Sequence, residues 1–425
     1  MTKRPIVVLA DGFVNWSGGI DFFTCSVLAL LASYNPKNYH IILVFPEKKF
    51  FSRISRFFLR IPCVSRWISY RKIRQNSWLL YFKREGAKIA FSRFGKKKIN
   101  RKLKQFKAVV ALFCWSDIPI ECPSIGFYPD LQHKFYPQFF SQRECQSRNR
   151  TIETILSKRD YCIILSQDTK SHLERFFPKK SAKLLPIPFS PILLDIKWLD
   201  PLPYDVKTKY GIKPPYFMIS NQFWIHKGHK TAFEAFSHLI KKGIKVELVC
   251  TGKTDDFRAP GYYQELLYHI DHLGIKEKVL ILGLIPKREQ IELMKGTLGM
   301  IQPTLFEGGP GGGSIQNAVA LGVPAICSDI PVNREISSEH VTFFKVQDSL
   351  DLCLKMEKLL KNSLQQPSKK LLLRRHEACL KQLGDTLLKS IDALALRKKS
   401  AYKRQNENKI QKSQRRATPC ELLKE

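Results

Sequence analysis

No run of about 18 consecutive apolar residues occurs in this chain, so no membrane-spanning helix is expected from the pattern. The first apolar run, 6–10, is shorter than the core of a secretory leader and stops at Asp11, which predicts no signal peptide. No C-x-x-C pair appears among the 11 cysteines. A cysteine-rich zinc site is therefore not expected, and the scattered thiols suit a reducing compartment. There is no D-x-D triplet and no H-E-x-x-H, and no other histidine spacing suggests a metal site, so no metal is expected. Acids are scarce: 37 Asp and Glu stand against 71 Lys and Arg, a formal net charge of +34. Such a balance predicts attraction to lipid surfaces, nucleic acid or phosphorylated substrates and says nothing about fold.

What is present is a repeated strand-and-helix pattern over 425 residues, enough chain for two hydrophobic cores. Residues 6–10 read as a buried parallel strand, Gly18 and Gly19 as a turn, and 20–34 as a helix with few polar positions. Further strands are predicted at 40–45, 108–114, 124–127 and 161–165, with helices between, notably 141–158 and 168–177. A proline-rich stretch, 190–215, reads as a linker. The pattern then restarts with strands at 216–220, 246–251, 279–283, 299–303 and 324–328. Alternation of this kind predicts an α/β fold with parallel sheets. The expected units are 1–200, 210–365, a helix over 366–396 and a basic, disordered tail over 397–425.

The segment 306–324 carries the most chemistry. Glu307 precedes a glycine-rich loop holding Gly311, Gly312 and Gly313. Ser314 is a natural helix N-cap and Gly322 a natural helix stop. Free N–H groups at such a helix start suit phosphate oxygens, and a carboxylate at the loop entrance suits sugar hydroxyls. A second turn, 220–229, holds Gln222 and Lys227 between a strand and an amphipathic helix. A third stretch, 126–137, places Asp130 and His133 after a strand, at the carboxyl edge where open α/β sheets bind ligands.

The stretch from Glu307 to Pro324 resembles the C-terminal domain of GT-B glycosyltransferases, in particular the retaining family 4, glycosyl transferases group 1. The resemblance covers 216–345 well and the N-terminal half more loosely, where 126–133 and Ile164-Leu165-Ser166 are similar to a subset of the family. It implies two Rossmann-like domains whose parallel sheets face each other across a cleft. It further implies transfer of a sugar from a nucleotide-diphosphate donor with retention, with that nucleotide sugar as substrate and no cofactor. By the same resemblance Glu307 holds the donor sugar, Lys227 and the loop through Ser314 hold the diphosphate, and Gly18 and Gly19 lie near the phosphates. His133 and Asp130 act from the opposite domain, with His133 facing Glu307. The sequence departs from the pattern twice. Gln222 stands where the family has Arg, and Asn317 where it has a second Glu that binds ribose. Lys253 or Arg334 are the candidates to replace the missing cation.

Residues 47–107 are dense in Lys and Arg, interleaved with aromatics, and contain only Glu47 and Glu85 as acids. This composition suits an interfacial surface on an anionic membrane. Together with the resemblance it predicts a cytoplasmic enzyme, peripheral on the inner membrane face. The expected acceptors are glycans or lipid-linked acceptors of cell-surface polysaccharide or lipopolysaccharide synthesis. Two alternatives remain: a GT-B-like protein that binds nucleotide sugar or glycan without turnover, and a nucleic-acid-binding protein, for which no recognition module is visible.

Overall fold

The computed structural model describes residues 4–13, 17–34, 38–46, 87–92, 96–115, 118–256, 258–361 and 367–416. Most of the basic aromatic segment 47–107, from 47 to 86 and at 93–95, lies outside the described residues, as do 417–425.

The N-terminal domain alternates strand and helix as β1 (Arg4–Leu9), α1 (Ser17–Ser33), β2 (Tyr39–Pro46), β3 (Lys88–Ser92), α2 (Lys96–Gln105), β4 (Val110–Cys114) and β5 (Ser124–Phe127). It continues with α3 (Gln132–Phe135), α4 (Gln142–Lys158), β6 (Tyr161–Ile164), α5 (Gln167–Phe176) and β7 (Lys183–Pro186). All seven strands are parallel, in the order β3-β2-β1-β4-β5-β6-β7. The reversal beside β1 places the carboxyl ends of β1 and β4 at the switch point, where ligands bind in such sheets.

The second domain contains α6 (Val206–Tyr210), β8 (Tyr216–Ser220), α7 (His229–Lys241), β9 (Glu247–Thr251), α8 (Tyr262–His272), β10 (Val279–Gly283) and α9 (Lys287–Gly296). It ends with β11 (Met300–Gln302), α10 (Gly312–Leu321), β12 (Ala325–Ser328), β13 (Val341–Phe344) and α11 (Ser349–Lys361). Its six strands run parallel in the order β10-β9-β8-β11-β12-β13. Two doubly wound domains of this kind are the expected fold class.

The last helix, α12 (Lys369–Arg416), returns from the second domain to the first. Leu383, Leu387, Ile391 and Leu394 recur on one helical face and are buried in the core that contains α1. This explains why α1 has so few polar positions: it is covered by the sheet on one side and by α12 on the other. The crossing is close, since a Cβ on Gly384 would lie 2.1 Å from the Ala29 carbonyl oxygen. The tail expected to be disordered from Arg397 instead continues this helix to Arg416. The stretch is dominated by Lys, Arg and Gln, which are good helix formers.

The face of the first sheet opposite α1 is covered by α2. Ile99 and Leu103 are buried against Val7, Leu9 and Ile42, while Lys97, Lys98, Arg101 and Lys104 are exposed.

Candidate active site

Lys227 and Glu307 meet because a glycine lets two loops touch. Gly228 follows the 3-10 turn Ile225–Lys227 with φ +67°, and a Cβ there would lie 1.9 Å from the Pro303 carbonyl oxygen. Only glycine fits, so the turn after β8 packs on the chain leaving β11. The contact is secured by bonds to the His226 carbonyl oxygen from Leu305 N (2.7 Å) and Thr304 Oγ1 (3.1 Å). Lys227 Nζ then lies 2.5 Å from Glu307 Oε1, with side chains 13% and 12% exposed. Gln302, the buried last residue of β11, donates through Nε2 to Glu307 Oε1 (3.1 Å) and to the Gly311 carbonyl oxygen (2.8 Å). One amide thus holds both the carboxylate and the glycine-rich loop.

The loop turns into α10 through Gly311 and Gly312, at φ +66° and +56°. Gly311 is the N-cap, so Ser314 lies inside the first turn rather than capping it; Gly322 ends the helix at φ +70° as expected. Gly311 N donates to Asn333 Oδ1 (3.1 Å). The free N–H groups of the α10 start and its partial positive charge therefore face the cavity beside Lys227.

This cavity lies between the domains and measures about 690 Å³. Of the residues singled out from the sequence, Gly18, Asp130, Gln222, Lys227, Glu307, Gly312, Gly313 and Ser314 line it. Gly19, His133, Gly311 and Asn317 are not among its lining residues. His133 is the clearest correction. Residues on a helix turn by about 100° per position, so on α3 Gln132 faces the cavity while His133 points into α4. There its buried ring meets Asn149 Oδ1 through Nε2 at 2.9 Å. Burial lowers its pKa, keeping it neutral. Asp130 lines the cavity, yet its Oδ1 also caps the turn by accepting from Gln132 N (2.9 Å). Asn317 is buried in α10.

The missing cation is not restored by Lys253 or Arg334. Lys253 pairs with Asp255 and Arg334 with Asp329, and neither lines the cavity. Lys287 and Arg288, at the start of α9, do line it. Lys287 Nζ reaches across the cleft to Asp21 Oδ2 of α1, 3.9 Å away. Burial raises the Asp21 pKa, and Lys287 opposes the rise. These three residues gave no motif signal. Asp21, two residues past the Gly18-Gly19 turn, was the one a positional argument could have found.

His229, the first residue of α7, is fully buried and stacks on Phe223 with ring centroids 4.4 Å apart. Its pKa is pushed down to about 3, chiefly by burial and then by Lys227. A depressed histidine pKa means the unfolded chain binds the extra proton first. The resulting stability is present above about pH 6.5 and is lost as pH falls toward 3. His229→Phe, which keeps the stack, should therefore flatten the acid side of the stability profile. Comparing Tm at pH 7.5 and pH 5 checks this: the wild type should lose more than the variant.

Two facing parallel-sheet domains with a nucleotide-sized cleft between them define the GT-B glycosyltransferase fold. Residues 205–372 match the family model for glycosyl transferases group 1. Among solved structures, the chain is similar to a sucrose-phosphate synthase from Thermosynechococcus elongatus (13% identity, TM-score 0.58, covering 96% of this chain and 100% of that one). It is also similar to Anabaena HepE in complex with UDP and glucose (11% identity, TM-score 0.58, 91% and 99% covered). A third is the lipopolysaccharide outer core galactosyltransferase WaaB (13% identity, TM-score 0.52, covering 94% of this chain and 100% of that one). No curated protein matches the chain in sequence.

Proposed function

We propose that the protein is a retaining glycosyltransferase that moves a sugar from a nucleotide-diphosphate donor to a glycan or lipid-linked acceptor. The observation that carries this reading is the Lys227–Glu307 pair on the wall of an interdomain cavity, beside the open start of α10. In this reading the diphosphate lies at the α10 N-terminus, where Lys227 and the N–H groups stabilise the charge that develops as the leaving group departs. Glu307 holds the donor sugar. Gly18 and Asp130 line the cavity from the acceptor-side domain. Gln222 and Asn317 carry no charge, so Lys287 and Arg288 take a larger share of nucleotide binding. The activity test is release of nucleoside diphosphate from a panel of nucleotide sugars, with and without EDTA. Turnover should be unaffected by EDTA. Donor binding without turnover across the panel would favour the alternative of a binding protein.

The proposed site of action is the inner membrane face, in cell-surface polysaccharide or lipopolysaccharide synthesis. No described helix is long and apolar enough to cross a membrane. The exposed cations of α2, Lys97, Lys98 and Arg101, form a face on which each charge contributes about 1 kcal/mol near an anionic leaflet, with Lys104 beside them paired to Glu121 at 3.0 Å. In sedimentation, binding should be strongest on anionic vesicles. It should weaken as the Debye length shrinks from about 10 Å at 0.1 M salt to about 3 Å at 1 M. Equal binding to neutral vesicles, or none to anionic ones, removes the membrane reading.

A further inference from the structure

We propose that Ser166, Thr169 and Glu335 form a latch across the cleft that holds the first part of the glycine-rich loop, at Gly308, in shape only while the two domains are closed. These are positioning residues: none lines the cavity. The start of α5 leaves N–H groups without helical partners. Two of them, from Gln167 and Asp168, donate across the domain boundary to Glu335, to Oε2 at 2.9 Å and Oε1 at 2.8 Å. A carboxylate at a helix N-terminus is favoured by both the hydrogen bonds and the helix dipole.

The same helix start reaches the loop itself. Ser166 Oγ caps α5 by accepting from Thr169 N (2.9 Å) and donates to the Gly308 carbonyl oxygen (2.9 Å). Thr169 Oγ1 donates to that oxygen as well, at 2.9 Å. Both residues are buried, and Gly308 directly follows Glu307. Gly308 has no room for a side chain, since a Cβ would lie 2.3 Å from the Pro129 carbonyl oxygen. The first part of the loop is thus pressed against the N-terminal domain and gripped by it.

The second part is held by the C-terminal domain, and the two holds are joined. Asn333, which accepts from Gly311 N, and Glu335, which docks α5, lie in one 3-10 turn, Pro331–Glu335. Opening the cleft removes both hydroxyl donors from Gly308 and both α5 N–H donors from Glu335, while Asn333 keeps its bond to the Ser328 carbonyl oxygen (2.9 Å) and Gln302 keeps its hold on Gly311. Order at the Gly308 end of the loop is therefore tied to domain closure, so residues remote from the donor contribute to its affinity.

The statement about affinity rests on the nucleotide-sugar reading; the statement about closure does not. The experiment uses the full chain and two readouts: small-angle X-ray scattering for closure and calorimetric titration with UDP. Glu335→Gln and Thr169→Val should each increase the radius of gyration and weaken UDP binding by about tenfold, the scale of losing one or two hydrogen bonds. Thr169→Ser keeps the hydroxyl and should behave as wild type in both. Thr169→Val leaves the Ser166 cap in place, and circular dichroism checks that each variant is folded. Unchanged scattering in both Glu335→Gln and Thr169→Val overturns the latch. Failure of the wild type to bind UDP leaves scattering to decide the latch and counts only against UDP as the nucleotide.

Discussion

Glu307→Gln should lower turnover by at least about 100-fold, the scale seen when one preorganised group that stabilises a transition state is removed. The amide keeps the size of the side chain, so the loop between Gln302 and Gly311 has no steric reason to move. What changes is charge. The carboxylate accepts from Gln302 Nε2 and pairs with Lys227, and a sugar hydroxyl bonded to it would gain as positive charge builds at the anomeric carbon. UDP affinity should stay level or rise, because Lys227 loses its competitor for the diphosphate. Steady-state rates with a nucleotide sugar, set beside UDP titration, separate the two effects. Removing one partner of a mostly buried pair also costs stability, so a Tm measured on the same preparation shows that the loss of rate is not unfolding. Turnover within a few-fold of wild type would sink the role assigned to Glu307.

The parts of this site that were legible in the sequence are those where local chain chemistry decides the structure. The glycines at 311–313 and 322 mark a loop and helix stop that few other residues could form, and Lys227 precedes a glycine whose φ is +67°. Parallel strands with continuous apolar runs, such as β1 and β4, were legible for the same reason. Strands β3, β7 and β13 were not. Two of them open with a lysine, β13 is a short edge strand, and none has a long apolar run. Edge strands are half exposed and carry weaker patterning. His133 failed for another reason. Its position after β5 is read correctly, but its direction depends on Asn149 in α4, a contact that no local rule encodes. Lys287 and Asp21 likewise become neighbours only through the docking of two domains.

Lys227→Ala is expected to be as damaging as Glu307→Gln, with a different signature. Lys227 is the ammonium group closest to Glu307 and stands beside the α10 start, so its loss should both weaken UDP binding, by about tenfold, and lower turnover, by about 100-fold or more. Lys287 and Arg288 still line the cavity, which is why binding should weaken rather than vanish. The alanine variant leaves Glu307 with Gln302 as its remaining donor, so the carboxylate loses its counter-ion in a poorly solvated place. The two substitutions therefore act on one unit, and the double variant should be less impaired than the product of the single effects. A double-mutant cycle on kcat/KM measures this, with a coupling of at least about 1 kcal/mol expected for groups in direct contact. Effects that multiply without coupling, or a Lys227→Ala enzyme that turns over within about threefold of wild type, would place the diphosphate elsewhere in the cleft.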